Sequence, residues 1–77
     1  MQVTIYSTSS CPWCKKTKEF LKKNNVSFKN VDVGENQKAA QEMVKKSGQT
    51  GVPVINIDGK IIVGFDELKL KNALRIK

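Results

Sequence analysis

Gln2-Val3-Thr4-Ile5-Tyr6-Ser7-Thr8-Ser9-Ser10-Cys11-Pro12-Trp13-Cys14 is the stretch whose reading decides the fold. Gln2 to Tyr6 alternates polar and apolar side chains and is rich in β-branched residues, the pattern of a half-buried strand. Ser7 to Ser10 then supplies loop chemistry and candidate helix caps. Pro12 stands where a helix tolerates it, in the first turn, because the N–H it lacks would have no partner there. A helix over residues 12–24 is expected to follow, with Thr17, Phe20 and Leu21 facing inward and lysines outward. Asn24-Asn25 stops it.

Working outward, Ser27 to Val33 reads as a second strand that Gly34 breaks. Residues 35–47 read as a second helix, with Ala39, Ala40, Met43 and Val44 at helical spacing and Gly48 as its C-terminal stop. Pro53 to Ile57 and Lys60 to Val63 read as strands joined by Asp58-Gly59, a strong hairpin signal. Gly64 breaks the second of them. Asp66 is placed to cap a last helix whose Leu70, Ala73 and Leu74 pack inward. The order strand, helix, strand, helix, strand, strand, helix makes an α/β fold. Its first two strands form a right-handed parallel unit and its last two an antiparallel hairpin, giving a four-stranded mixed sheet with three flanking helices. No repeat, linker or low-complexity segment interrupts it, so residues 1–77 are read as one domain.

Seventy-seven residues make a small domain, and chains near this size bury only about 60% of the surface that their unfolded form exposes. A hydrophobic fraction of 39% with 27% charged residues fits a globular chain rather than a disordered one. No run approaches the ~18 apolar residues of a membrane span. The first residues lack the charged and apolar regions of a signal peptide, so a cytoplasmic protein is expected. Fourteen Lys and Arg against seven Asp and Glu give a net charge of +7. That charge suits steering toward an acidic partner protein. No aromatic-and-basic RNA motif or recognition helix accompanies it, so nucleic-acid binding is not expected.

Two cysteines separated by two residues close too small a loop to staple a fold. In an intracellular chain such a pair is catalytic or metal-binding. Strand, short loop, then Cys-x-x-Cys opening a helix reads as a thioredoxin-like redox motif. Cys11 falls at the helix N-terminus, where unpaired N–H groups and the positive end of the dipole favour a thiolate. Such placement lowers a thiol from about 8.5 into a range of roughly 3.5–7.5. Cys14 lies a turn further in and is expected to be buried and less ionised. Cys11 then attacks a disulfide and Cys14 resolves the mixed disulfide. Lys15, Lys16 and Lys18 add positive charge nearby, though each also reads as part of a solvated helix face. A metal site needs about four ligands and the chain has no histidine; no metal is expected in the single chain. A dimer sharing Cys11 thiolates around a metal or iron–sulfur cluster is the alternative.

Tyr6-Ser7-Thr8-Ser9-Ser10-Cys11-Pro12-Trp13-Cys14 resembles the active-site segment of glutaredoxins, where Cys-Pro-Tyr-Cys is common. Thr50-Gly51-Val52-Pro53 resembles that family's Thr-Val-Pro segment, and Val63-Gly64-Phe65-Asp66-Glu67-Leu68 its Gly-Phe-Asp-Asp segment. The resemblance covers essentially the whole chain, and three motifs in the family's order make it specific. The resemblance implies the glutaredoxin fold and a dithiol oxidoreductase acting on protein disulfides or glutathione mixed disulfides, with no bound cofactor, as a monomer. It implies a Cys11–Cys14 active-site disulfide and a cis bond before Pro53, which places the Val52 backbone beside the nucleophile. It further implies that Trp13, Val52, Pro53, Gly64, Phe65 and Asp66 bind the substrate or glutathione. In this reading Gly64 and the start of the last helix offer N–H groups to a carboxylate, while Gly64 also reads as a strand break and Asp66 as a cap.

The chain departs from the pattern at three points. Thr8 stands where many glutathione-using members carry lysine, Gly51 replaces the Thr that often precedes Val-Pro, and the third motif is not the Ser-Gly-Phe-Arg of NrdH-type redoxins. Those redoxins take electrons from thioredoxin reductase and pass them to ribonucleotide reductase. The reductant is therefore left open between glutathione and a thioredoxin-reductase-type enzyme, and the targets are disulfide-containing proteins, ribonucleotide reductase among the candidates.

Overall fold

A computed structural model describes residues 2–75. Its elements are β1 (Val3–Ser7), α1 (Pro12–Lys23), β2 (Lys29–Asp32), α2 (Gln37–Ser47), β3 (Val54–Ile57), β4 (Lys60–Val63) and α3 (Glu67–Leu74). The sheet order is β2-β1-β3-β4, with β1 parallel to β2 and the other neighbours antiparallel. The expected mixed sheet and three helices are all present.

Strand periodicity divides the core. Successive side chains point to opposite faces, so Val3 and Ile5 go one way and Tyr6 the other. Val3 and Ile5 pack with Leu21 of α1, Ile55 and Ile57 of β3, Ile62 of β4, and Leu70 and Leu74 of α3. Tyr6 packs with Met43 of α2 and Val54. Helices thus cover both faces of β1, which is why this strand is buried almost throughout.

Several expected bounds need correction: α1 ends at Lys23 with Asn24 as its C-cap, and β3 begins at Val54, after Pro53. β2 is shorter than residues 27–33: Ser27 and Phe28 lie before the ladder, and Phe28 packs against the larger core instead. Helix α2 begins at Gln37, because the Asn36 side chain caps it by accepting the Ala39 N–H at 3.0 Å. On α2 only Ala39 and Met43 are buried, whereas Val44 is exposed and Ala40 half-buried. On the side of the sheet that α2 covers, Tyr6 and Val54 are buried with Met43, and Val31, Val33, Val52 and Ile61 pack half-buried against them. In α3, Leu70 and Leu74 are buried and Ala73 is half-buried against the same core.

The register brings three loops to one end of the sheet. Tyr6, near the end of β1, pairs with Val54, the first residue of β3, and Val54 pairs with Val63, the last of β4. The loop to Cys11, the segment before Val54 and the segment after Val63 are therefore neighbours. At the opposite end, Asp58 and Gly59 turn the hairpin with φ of 50° and 93°, the two positive values that match strand twist.

Candidate active site

Cys11 is the N-cap of α1, in extended conformation, with Pro12 at the first helical position. Its backbone N–H donates to the Thr8 carbonyl at 3.3 Å, and its carbonyl accepts from Lys15 at 3.3 Å. The Cys14 N–H, one of the donors a helix start leaves without a backbone partner, donates to the Cys11 sulfur at 3.1 Å. A cysteine thus occupies the place where Ser or Asp ordinarily caps, and its sulfur takes the donor that favours negative charge. Both cysteines are free thiols; Cys11 is half-buried and Cys14 buried.

Burial pushes the Cys14 thiol up to about 11 from an ordinary 9.0, and its hydrogen bond with Cys11 pushes the same way. The Thr8 backbone and the Lys18 charge oppose the rise without reversing it. The two thiols therefore differ in access, Cys14 buried and Cys11 half-buried, and burial raises the proton affinity of Cys14. One turn further, buried Thr17 donates its hydroxyl to the Trp13 carbonyl at 2.8 Å, which satisfies its oxygen in the core.

The Val52–Pro53 bond is cis. The Cys11 thiol donates a long, weak hydrogen bond to the Val52 carbonyl at 3.9 Å. The Gly64 N–H donates to the Pro53 carbonyl at 2.8 Å, tying the second motif to the third. That bond corrects one expectation: the Gly64 N–H is committed within the chain rather than offered to a ligand carboxylate. Gly64 has φ of 79°, a conformation that favours glycine, so its role as a strand break is structural. Asp66 caps α3 by accepting the Lys69 N–H at 3.1 Å.

Trp13, Val52, Pro53, Gly64 and Phe65 line an open cleft of about 250 Å³, and Cys11 meets it through the Val52 carbonyl. Five of the six expected binding residues meet there; Asp66 borders it as the cap of the next helix. Trp13 is 54% exposed. Its ring centroid lies 6.3 Å from that of Phe65, which meets Phe20 edge-on at 5.8 Å, within the range of favourable aromatic pairs. The outer wall of the cleft is thereby joined to the core.

Two local features escaped the sequence reading. The Gln49 side-chain amide clips the Gly51 backbone, accepting its N–H at 2.6 Å and donating to its carbonyl at 2.9 Å. A Cβ at position 51 would stand 2.7 Å from that amide oxygen, the free end of a side chain that can swing aside, so a larger residue here would displace the clip rather than the backbone. No spacing rule announces such a contact. The Lys16 ammonium lies 4.6 Å from the centre of the Trp13 ring, and the i, i+3 spacing on α1 was the available signal. Among the described residues, no group of three or more His, Cys, Asp and Glu side chains stands together as metal ligands, and no helix is long and apolar enough to cross a membrane.

The glutaredoxin family model matches residues 3–62. The chain belongs to the glutaredoxin family. It is 56% identical over 72 residues to an uncharacterized glutaredoxin-like 8.6 kDa protein in the rubredoxin operon of Clostridium pasteurianum, covering 94% of this chain and 96% of that one. Identity to glutaredoxin 3 of Escherichia coli K12 is 41% over 71 residues, covering 92% and 86%. The solved glutaredoxin of Archaeoglobus fulgidus superimposes with a TM-score of 0.89 at 35% identity, over 96% of this chain and 86% of that one. Membership carries thiol–disulfide oxidoreductase activity and the thioredoxin-like fold. Glutaredoxins carry out this exchange without a prosthetic group.

Proposed function

We propose that this glutaredoxin is a dithiol carrier that reduces protein disulfides and glutathione mixed disulfides through Cys11 and Cys14. The observation that carries the reading is the inequality of the two thiols: Cys11 caps the helix and accepts the Cys14 N–H, while Cys14 is buried. Cys11 as thiolate attacks one sulfur of the substrate; a Cys11–substrate disulfide forms, the substrate S–S bond breaks, and the other substrate sulfur leaves as a thiolate that takes up a proton. Cys14 then gives up its proton and attacks the Cys11 sulfur. The Cys11–Cys14 disulfide forms and the second substrate thiol departs, so two protein thiols are oxidised and one substrate disulfide is reduced.

The same geometry sets the order of events. Cys11 raises the proton affinity of Cys14 both through their hydrogen bond and through its charge. Once Cys11 is bound in the mixed disulfide its negative charge is gone, and Cys14 ionises more readily at the moment when it is needed. In this reading the cleft formed by Trp13, Val52, Pro53, Gly64 and Phe65 holds the chain flanking the reacting sulfur, with the Val52 backbone pairing to it as an added strand would. The net charge of +7 speeds encounter with acidic partners.

Glutathione is the proposed reductant, acting on the Cys11–Cys14 disulfide as external thiol. The test is reduction of the oxidised protein by glutathione with glutathione reductase, set against a thioredoxin reductase, each driven by NADPH. Rapid reduction by glutathione supports the reading. Reduction by thioredoxin reductase alone replaces glutathione with that enzyme as donor, and reduction by neither overturns the carrier role.

A further inference from the structure

The wall of the cleft poses a physical problem. Trp13 is 54% exposed, so its indole must be held in place by something other than burial if it is to shape a binding site. Phe65 supplies one contact, anchored in turn on Phe20. Lys16 supplies another, with its ammonium 4.6 Å from the ring centre. The contact follows from helix geometry. Residues three apart share a face, and side chains lean toward the helix N-terminus, so Lys16 reaches back over the turn that carries Trp13.

We propose that Lys16 is a positioning residue of the redox site, its ammonium clamping Trp13 so that the indole stands as the wall of the substrate cleft beside Cys11. The proposal rests on the oxidoreductase reading and adds to it a specificity device. A wall set in advance spares the substrate the ordering of an exposed aromatic side chain. It also favours disulfides flanked by apolar residues that lie against the indole. Lys15, its neighbour in the sequence, carries the same charge and makes no such ring contact, so charge and positioning are separable.

The experiment compares wild type with Lys16→Gln, Lys16→Arg and Lys15→Gln. Turnover is followed on a disulfide-linked peptide with leucine beside its cysteine, with dithiothreitol as reductant. Acrylamide quenching of Trp13, the single tryptophan, is measured on the reduced proteins. Lys16→Gln is expected to raise KM about two- to fivefold, the scale of one exposed cation–π contact, with little change in kcat. It should also make Trp13 easier to quench. Lys16→Arg should restore both values, and Lys15→Gln should leave quenching at the wild-type level and KM closer to wild type. Wild-type quenching in Lys16→Gln, or an equal KM rise in Lys15→Gln, would overturn the clamp. A wild-type protein unable to turn over the peptide would instead sink the oxidoreductase reading, while the quenching comparison still decides the clamp.

Discussion

The backbone N–H of Cys14 points at the sulfur of Cys11 across 3.1 Å. A helix start leaves such donors unpaired, and here a thiol takes the capping place that an oxygen usually fills. The same turn that presents Cys11 buries Cys14, so one short helix start creates two thiols of different character.

Alkylation should read that difference directly. With Cys14 held up near 11, only about one molecule in a thousand carries its thiolate at pH 8, and thiolate is the reactive form. Brief treatment of the reduced protein with iodoacetamide is expected to modify Cys11 first, with Cys14 labelled only after denaturation. Peptide mapping by mass spectrometry checks the site.

Stability of the reduced protein should fall at high pH. In the fold Cys14 keeps its proton up to about 11, against an ordinary 9.0. Between those values the unfolded chain has released the proton and the folded chain has not, so each rise in pH favours unfolding. The loss attributable to Cys14 is at most about 3 kcal/mol. Urea midpoints from pH 8.5 to 11 should drop more steeply for reduced wild type than for Cys14→Ser, and parallel curves would remove Cys14 as the cause.

Met43 and Val44 are adjacent on α2 yet face different surroundings. Met43→Ala should cost about 2–5 kcal/mol, as large-to-small core changes do. Val44→Ala should stay within about 0.5 kcal/mol, as surface changes do. Denaturant unfolding of the two variants tests which stripe of α2 meets the sheet.

Gly64→Ala places a Cβ in open space but at φ of 79°. Its cost is conformational, roughly 1–2 kcal/mol, and should appear as a lower urea midpoint with an unchanged slope. A neutral result would mean that the β4–α3 corner readjusts without strain.

Much of this arrangement was legible in the residues. Alternation in Val3 to Tyr6, the Asp58-Gly59 turn and the Gly48 stop each follow from local chemistry, and the structure has the elements they predict. The cysteine pair at a helix start was equally legible, because Pro12 and the preceding serines mark the helix boundary. What escaped depended on contacts between segments. Val44 shows helical spacing, but how α2 docks on the cluster of Tyr6 and Val54, with Met43 toward it and Val44 away, is set between segments. The Gly64 N–H could be matched to the Pro53 carbonyl only after the register had placed Val54 opposite Val63. The Gln49 clip on Gly51 is a side-chain choice inside a loop, with no periodicity to reveal it.

The most direct test of the account is a trapping experiment on the two single variants. Cys14→Ser and Cys11→Ser are each incubated with an excess of a disulfide-linked peptide, then mapped by mass spectrometry without reductant. With Cys11 as nucleophile, a stable mixed disulfide is expected on Cys11 in Cys14→Ser, formed close to stoichiometrically, and no comparable adduct in Cys11→Ser. Rapid adduct formation on Cys14 in Cys11→Ser, or none on Cys11 in Cys14→Ser, would contradict the assignment of Cys11 as nucleophile.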